Sequence, residues 1–394
     1  MIKKINNVIY THLSNNLNED FLNNISYFFF QIASYLTDPV CISHEYFRRF
    51  YIIDHHYKNS YKITNLLRKI YYFSQLTFHG NVALFTSIPG IFFRYIGSKI
   101  QKKPFLYINN NSDYKKLDSN KFTLLSWNIC CVGGGYSLSD GGVMPFRDRI
   151  DKIVEKILHL NADVNCLYET FDIKSAFYIY NKLKKHGYRD FYFNIGPKSL
   201  GVSSGIFVAS KYKINNPNFI PFSKKILVGR TKNAKKGIFS FTLSSDKNDF
   251  ANIFTTHLQH SEECEYPTDE EIEKRKMQMQ LLTQKTQELR DRCTVVCGDL
   301  NLDDDEYYKS NWNKHFDKGS IFSSGKKSWL GDEFCAKMVK KRVSKPLNLD
   351  HTMILKTSAQ NLVTTYIDTK YDPKNISTDA LSDHMGLFSE ITIL

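Results

Sequence analysis

No pair of Cys-x-x-Cys motifs occurs in the 394 residues, which argues against a structural zinc site. The eight cysteines are Cys41, Cys130, Cys131, Cys166, Cys264, Cys293, Cys297 and Cys335. They are scattered, and free thiols in a reducing compartment are expected. No apolar core follows the basic start Met1-Ile-Lys-Lys4, because Asn6, Asn7, His12 and the run from Ser14 to Asn18 interrupt it. A cleavable secretion signal is therefore not expected, while export by a route that reads no such signal stays open. Internal repeats and low-complexity tracts are also missing. Beyond residue 118 no Lys/Arg block forms a nucleic-acid stripe, so a solvated basic surface is the expectation there.

Hydrophobic residues make up 42% of the chain and charged residues 24%. That composition supports a packed core and excludes a wholly disordered chain, a collagen and a small disulfide scaffold. The net charge of +13 points to an anionic partner: nucleic acid, phosphate ester or membrane surface. The excess is densest in the aromatic-rich first 118 residues, which carry 14 Lys/Arg against 7 Asp/Glu.

Two stretches of that region have no charged residue, Phe21–Thr37 and Ile70–Phe93. The second is long enough to cross a bilayer, at about 20 residues per span. Ser74, Gln75, His79, Asn81 and Pro89 make it a poor spanning helix. Two readings are open: a helical hairpin in the membrane interface, bounded by Arg68, Lys69, Arg94 and Lys99, or a helix pair packed on the following domain. Residues 101–120 read as a polar connector, and the domain boundary is placed near 118.

From 119 the pattern changes to short apolar runs that end on polar residues. Strands are expected at 122–129, 163–167, 206–210, 237–243, 251–256, 294–297 and 351–355, with helices over 149–160 and from Pro267 to about Arg290. The second helix opens with a Thr268-x-x-Glu271 capping box. Many strands with interspersed helices predict a sheet-rich α/β domain over 119–394.

The chemistry lies at the strand ends: Ser126-Trp-Asn128, Tyr168-Glu169, Thr256-His257, Gly298-Asp-Leu-Asn301, Leu349-Asp350-His351 and Ser382-Asp383-His384. Any one of these is more often a solvated or structural residue. Six in one sheet domain are expected to converge on one edge.

In this order the set resembles the endonuclease/exonuclease/phosphatase superfamily, with the deoxyribonuclease I-like fold. The resemblance implies a four-layer α/β/β/α sandwich that cleaves phosphate esters with Mg²⁺, or alternatively Mn²⁺. Within it, Glu169 and Asn128 would hold the metal, with Asp383 beside them. His384 would be the general base for water, oriented by Asp350. Asp299 would align that water or move a proton, and Asn301 and His257 would hydrogen-bond phosphoryl oxygens. His351 receives no role.

Several segments look like neutral sphingomyelinases: Leu167-Tyr-Glu-Thr-Phe-Asp172, Ser204-Gly-Ile-Phe-Val-Ala-Ser-Lys-Tyr212, Lys236-Gly237 and Ser328-Trp329. By that resemblance Lys236 and Trp329 would contact substrate. One departure is Thr231, which stands where those enzymes commonly carry an Asp five positions before the Lys. Gly133-Gly-Gly135 is either a flap over the cleft or a plain loop.

The reading is a Mg²⁺-dependent phosphodiesterase that hydrolyses sphingomyelin to ceramide and phosphocholine. Its partner would be a phospholipid at a membrane surface, with nucleic acid disfavoured and no protein partner inferable. The expected location is membrane-associated or cytoplasmic. Alternatives are a phosphoinositide phosphatase or nuclease on the same residues, and a catalytically silent membrane- or partner-binding protein.

Overall fold

A computed structural model describes residues 21–393 apart from 58–59, 102, 111–112, 118–119, 133–141, 198–200, 246–247, 264, 290–291, 323–325, 339, 357–359 and 377–378. The glycine run at 133–135, Cys264 and the amino-terminal segment lie outside the described residues.

Two long helices come first, α1 (Phe21–His56) and α2 (Lys62–Ile100), each continuing through an internal proline, Pro39 and Pro89. They approach closely where α2 has glycine. A Cβ on Gly90 would sit 2.7 Å from Thr37 Cγ2, and one on Gly97 would sit 3.0 Å from the Ser26 carbonyl. The Ser26 hydroxyl donates to the Gly97 carbonyl at 2.6 Å.

The rest builds two sheets. In chain order the elements are β1 (Leu106–Asn109), β2 (Lys121–Asn128), α3 (Phe146–Leu160), β3 (Val164–Tyr168), α4 (Ile173–Leu183), β4 (Asp190–Phe193), β5 (Phe207–Ser210) and β6 (Lys213–Pro221). Next come β7 (Gly237–Ser245), β8 (Asn248–His257), α5 (Asp269–Gln287), β9 (Cys293–Asp299), α6 (Asp304–Lys309), β10 (Phe316–Asp317) and β11 (Ser320–Phe322). The last are α7 (Glu333–Met338), β12 (Asp350–Leu355), β13 (Gln360–Ile367) and β14 (Gly386–Ile393). One sheet runs β1-β4-β5-β3-β2-β14-β13-β11 and the other β10-β12-β9-β8-β7-β6.

Three apolar layers separate the sheets and helices. Between the sheets lie Leu124, Val164, Cys166, Val208, Phe239, Ile253 and Val295. Ile150, Ile153, Ile157 and Phe177 seal α3 and α4 onto the larger sheet, and Met279 and Leu282 seal α5 onto the smaller one. This is the expected four-layer α/β/β/α sandwich. The capping box at the start of α5 is present, with both reciprocal bonds between Thr268 and Glu271.

Residues 101–120 are not a bare connector. Strand β1 pairs antiparallel with β4, and Phe105 and Leu106 enter the core on either side of the sheet. Buried Asp190 holds this edge, accepting from the Tyr107 hydroxyl at 2.9 Å and the Asn109 amide at 2.7 Å. A four-residue edge strand among polar neighbours has no periodicity to reveal it; cross-strand pairing makes it.

Of the two readings of the amino-terminal region, the packed one describes its first helix. Helix α1 packs on the sandwich: Tyr27 stacks near Phe177, and Arg147 of α3 holds both Asp38 and Glu45 in buried ion pairs. Lys174 of α4 joins Asp38 at 2.6 Å. Helix α2 packs on α1 through Ala83, Gly90 and Gly97 and leaves most of its large apolar side chains exposed.

Candidate active site

The strand pattern explains how six distant fragments meet. Asn128, His257 and Asp299 are the last residues of β2, β8 and β9, and Glu169 follows β3. Asp350 opens β12 rather than ending a strand, and Asp383 and His384 precede β14. Because β12 runs antiparallel to β9 and β14 antiparallel to β2, these starts lie level with the other strands' ends. Asp350 is the register partner of Asp299, which is also the register partner of His257.

At the centre His384 Nδ1 lies 2.7 Å from Asp350 Oδ2. The backbone is held on both sides. The Ser328 hydroxyl accepts from the Leu349 and Asp350 N–H groups, both at 2.9 Å. The Trp127 indole donates to the His384 carbonyl at 3.0 Å, and the Ser382 hydroxyl donates to the Asn128 carbonyl at 2.6 Å. The other imidazole nitrogen, Nε2, is 4.0 Å from Asp299 Oδ2 and 3.9 Å from Asp383 Oδ2. That face opens on a cleft of about 330 Å³ lined by Glu169, Lys236, His257, Asp299, Asn301 and Trp329 among others.

Glu169 and Asn301 reach the cleft with positive φ, 60° and 48°, a conformation that side-chain-bearing residues rarely adopt. Such strain persists only where the surroundings impose it, and it clusters at functional sites.

The electrostatics are those of crowded carboxylates. Burial and then neighbouring Asp383 lift the Glu169 carboxyl to about 7. Burial works against Asp299 too, but His257, His384 and Lys236 overcome it and hold that group at about 2. His384 would be discharged by burial alone; Asp350, Asp383 and Asp299 reverse the effect and raise it well above the ordinary imidazole value. Burial lowers Lys236 to about 8, and burial together with Lys236 keeps His257 neutral.

Ligand atoms of Glu169, His257 and Asp299 lie within 4.8 Å of one another. A hard divalent cation takes one or two carboxylates and keeps several waters, and its charge would relieve the repulsion that lifts Glu169. The residues therefore fit such an ion. This cluster includes His257 and Asp299, expected as phosphate- and water-handling groups, and Asp383 lies outside it.

Asn128 adjoins both carboxylates of that cluster, Asp299 and Glu169. Its amide donates to Asp299 Oδ2 at 2.9 Å, and its oxygen accepts the Cys130 N–H at 3.1 Å. It braces the following loop and both carboxylates, and its oxygen keeps a second lone pair beyond the Cys130 bond. Asp383 accepts from the Ser382 hydroxyl at 3.3 Å and stands near Glu169 as a second negative charge.

Lys236 enters the cleft wall with Nζ donating to the Leu258 carbonyl at 2.6 Å. Thr231 hydrogen-bonds the Gln259 amide at 2.9 Å, so the loop before Lys236 is tied down without a carboxylate. Gln259 is fastened in turn, its N–H donating to the Gln278 side chain at 2.9 Å. Trp329 is nearly buried, bridging by backbone to Leu347 and His384 and packing on Leu347 and Leu349. His351 faces away from the cleft, against the Leu302 carbonyl at 2.6 Å.

The cleft also takes in Phe171, Arg230, His260, Asp332 and Arg342, which sequence reasoning had not picked out. His260 stands three residues after His257, a spacing that could have drawn attention to it. Phe171 belongs to the sphingomyelinase-like segment around Glu169 and Arg230 to a short 3-10 turn, whereas Asp332 and Arg342 sit in loops without any local signal.

No family model matches the chain, and no curated protein matches it. Solved structures do. A beta toxin variant from Staphylococcus aureus with bound magnesium ions aligns with a TM-score of 0.54 and 18% identity, over 68% of this chain and 99% of its own. SmcL aligns at 0.53 and 19%, over 70% and 100%. Sphingomyelinase C from Streptomyces griseocarneus aligns at 0.52 and 16%, over 68% and 99%. At these identities the likeness establishes the fold: the sandwich is deoxyribonuclease I-like.

Proposed function

We propose that the protein is a divalent-metal-dependent phosphodiesterase whose substrate is a sphingomyelin-type lipid. The observation that carries the hydrolase reading is the His384–Asp350 contact at 2.7 Å, with the free face of the imidazole turned to a cleft that also holds Glu169, Asp299 and Asn301. Two supports favour the lipid diester: the sphingomyelinase-like segments around Glu169, Lys236 and Trp329, and the alignment with a protein named as a sphingomyelinase.

In this reading His384 first gives up the proton that Asp350, Asp383 and Asp299 favour; the neutral imidazole then takes a proton from water at Nε2 while Asp350 on Nδ1 stabilises the imidazolium. Water oxygen bonds to phosphorus, and the bond from phosphorus to the ceramide oxygen breaks. That oxygen takes up a proton from solvent in the cleft, which the imidazolium replaces, so ceramide leaves with its hydroxyl and His384 returns to neutral. Asn301 Nδ2, buried without a protein partner, is placed to donate to a phosphoryl oxygen as charge develops there. Lys236 adds positive charge to the same wall. Glu169 would hold the cation, with Asp299 and His257 in reach; magnesium is the proposed ion, as one structural neighbour carries it. When bound, such an ion supplies charge for the phosphoryl and leaving oxygens.

The test is a substrate panel with Mg²⁺: sphingomyelin in mixed micelles, lysophospholipid, phosphoinositide and abasic duplex DNA. Release of phosphocholine from sphingomyelin, lost in His384→Ala, is the expected result. Preference for phosphoinositide or duplex DNA would replace the substrate while keeping the catalytic groups. Inactivity on every diester would overturn the enzyme reading.

A further inference from the structure

Helix α2 has two sharply different faces. Ala83, Gly90 and Gly97, spaced by seven, are buried against α1. On the opposite face Leu66, Ile70, Phe78, Phe85, Ile88 and Phe92 recur at helical spacing, and Phe85 and Ile88 are 79% and 74% exposed. An exposed apolar surface of this extent marks an interaction site.

What covers it can be argued from charge and from the polar residues on the helix. From Ile70 to Phe93 there is no charged side chain, and over all 39 residues α2 has five cations and no carboxylate. The cations flank the apolar stretch: Lys62, Arg68 and Lys69 before it, Arg94 and Lys99 after it. Three exposed mid-helix polar groups turn back on their own backbone, while His79 stacks on Tyr46 of α1. The Ser74 hydroxyl donates to the Tyr71 carbonyl at 2.8 Å, Thr77 to Phe73 at 2.9 Å, and the Asn81 amide to Thr77 at 2.9 Å. A surface that satisfies its polar atoms internally and is rimmed by cations suits hydrocarbon beneath anionic headgroups. Lys69 also pairs with Asp54 of α1 at 2.6 Å and Arg94 turns to the sandwich, which leaves Lys62, Arg68 and Lys99 to meet headgroups. A second copy would set these against their like.

Spanning is excluded by what lies behind α2. Helix α1 runs along the sandwich from Tyr27 on Phe177 to Ile52 on Met144, with the Arg147, Lys174, Asp38 and Glu45 ion pairs between. A bilayer surrounding α2 would have to take in those ions. Only one face of α2 is open.

We propose that α2 lies in the plane of an anionic membrane surface, buried through its Phe78–Phe92 face, and seats the catalytic cleft beside the lipid. Arg94 donates to the Gly201 carbonyl, and the next residue, Val202, lines the cleft, so the docked helix adjoins the cleft rim. Docking itself is independent of the proposed reaction; its benefit to catalysis rests on that reading.

The experiment is sedimentation of the full chain with vesicles of phosphatidylcholine alone and of phosphatidylcholine mixed with phosphatidylserine. Binding is expected to be stronger on the mixed vesicles and weakened by salt. The double variant Phe85→Asp, Ile88→Asp removes two exposed anchors, and a loss of about a hundredfold or more in affinity is expected. Phe85→Leu, Ile88→Leu should retain binding. Hydrolysis of a soluble aryl phosphodiester should be the same in all three proteins, whereas turnover of vesicle lipid should fall only in the aspartate variant. Unchanged pelleting of the aspartate variant would overturn the proposal. So would resistance of the bound protein to carbonate extraction, which means spanning, or a dimer that only the aspartate variant abolishes. Vesicle binding without hydrolysis of any diester would leave docking standing and reject the catalytic reading.

Discussion

His384 and Asp350 meet at 2.7 Å although their backbones belong to different sheets. Asp350 opens β12 of the six-stranded sheet, and His384 stands two residues before the start of β14 of the eight-stranded one. The pair therefore forms only when both sheets are stacked in register.

Replacing either partner should separate chemistry from folding. His384→Ala should lower turnover by about 100- to 10,000-fold, and Asp350→Asn should also lower it strongly. Circular dichroism should show the native fold in both. Near-native turnover in His384→Ala would reject its role as the base.

Glu169 is the side chain whose charge most needs a cation. Chelation should abolish activity, and Mg²⁺ should raise the melting temperature of the native protein because it binds only the folded state. Glu169→Gln removes the charge without changing the shape, so the Mg²⁺-induced shift should largely vanish. An undiminished shift in that variant would place the ion elsewhere.

Arg147 joins α3 to two carboxylates of α1, all three side chains nearly buried. Arg147→Ala leaves Asp38 and Glu45 without this guanidinium, and about 3–5 kcal/mol of destabilisation is expected in urea unfolding. Limited proteolysis should then cut the amino-terminal helices before the sandwich. Equal stability would mean that α1 is held by its apolar contacts alone.

Three thiols provide a pH test. Burial pushes Cys41, Cys131 and Cys293 up to about 12, against about 8.5 in an unfolded chain. The folded state thus binds these protons more tightly. Their contribution to stability is full below pH 8.5 and declines as pH rises from there toward 12. At pH 8 the native protein should resist alkylation at buried Cys131 and Cys293, more than at half-buried Cys41, as read by peptide mass spectrometry, and all three should react once unfolded. Rapid labelling of native Cys131 would contradict its burial.

Much of the site was legible because chemistry-bearing residues sit at the ends of apolar runs, and those runs show themselves by composition. The strands carrying Asn128, His257 and Asp299 and the capped helix α5 all appear where their residues predicted. Other features lacked local signals. Strand β1 is four residues in a polar stretch, stabilised by Asp190 some eighty residues away. Strands β13 and β14, paired along eight residues, were also not read from sequence. The type and place of Asn128 were legible, but its bonds to Asp299, Glu169 and the Cys130 N–H depend on strand ends that only folding brings together.

The sequence by itself determined the α/β class, the residue types of the site and their order along the chain, since side-chain chemistry and period are local properties. The tertiary structure decided which groups touch, because antiparallel pairing brings strand starts level with strand ends. It also decided the fate of two similarly apolar helices. Helix α1 carries Asp38 and Glu45, which find Arg147, and so packs inward; α2 has no carboxylate to pair and stays open to its surroundings.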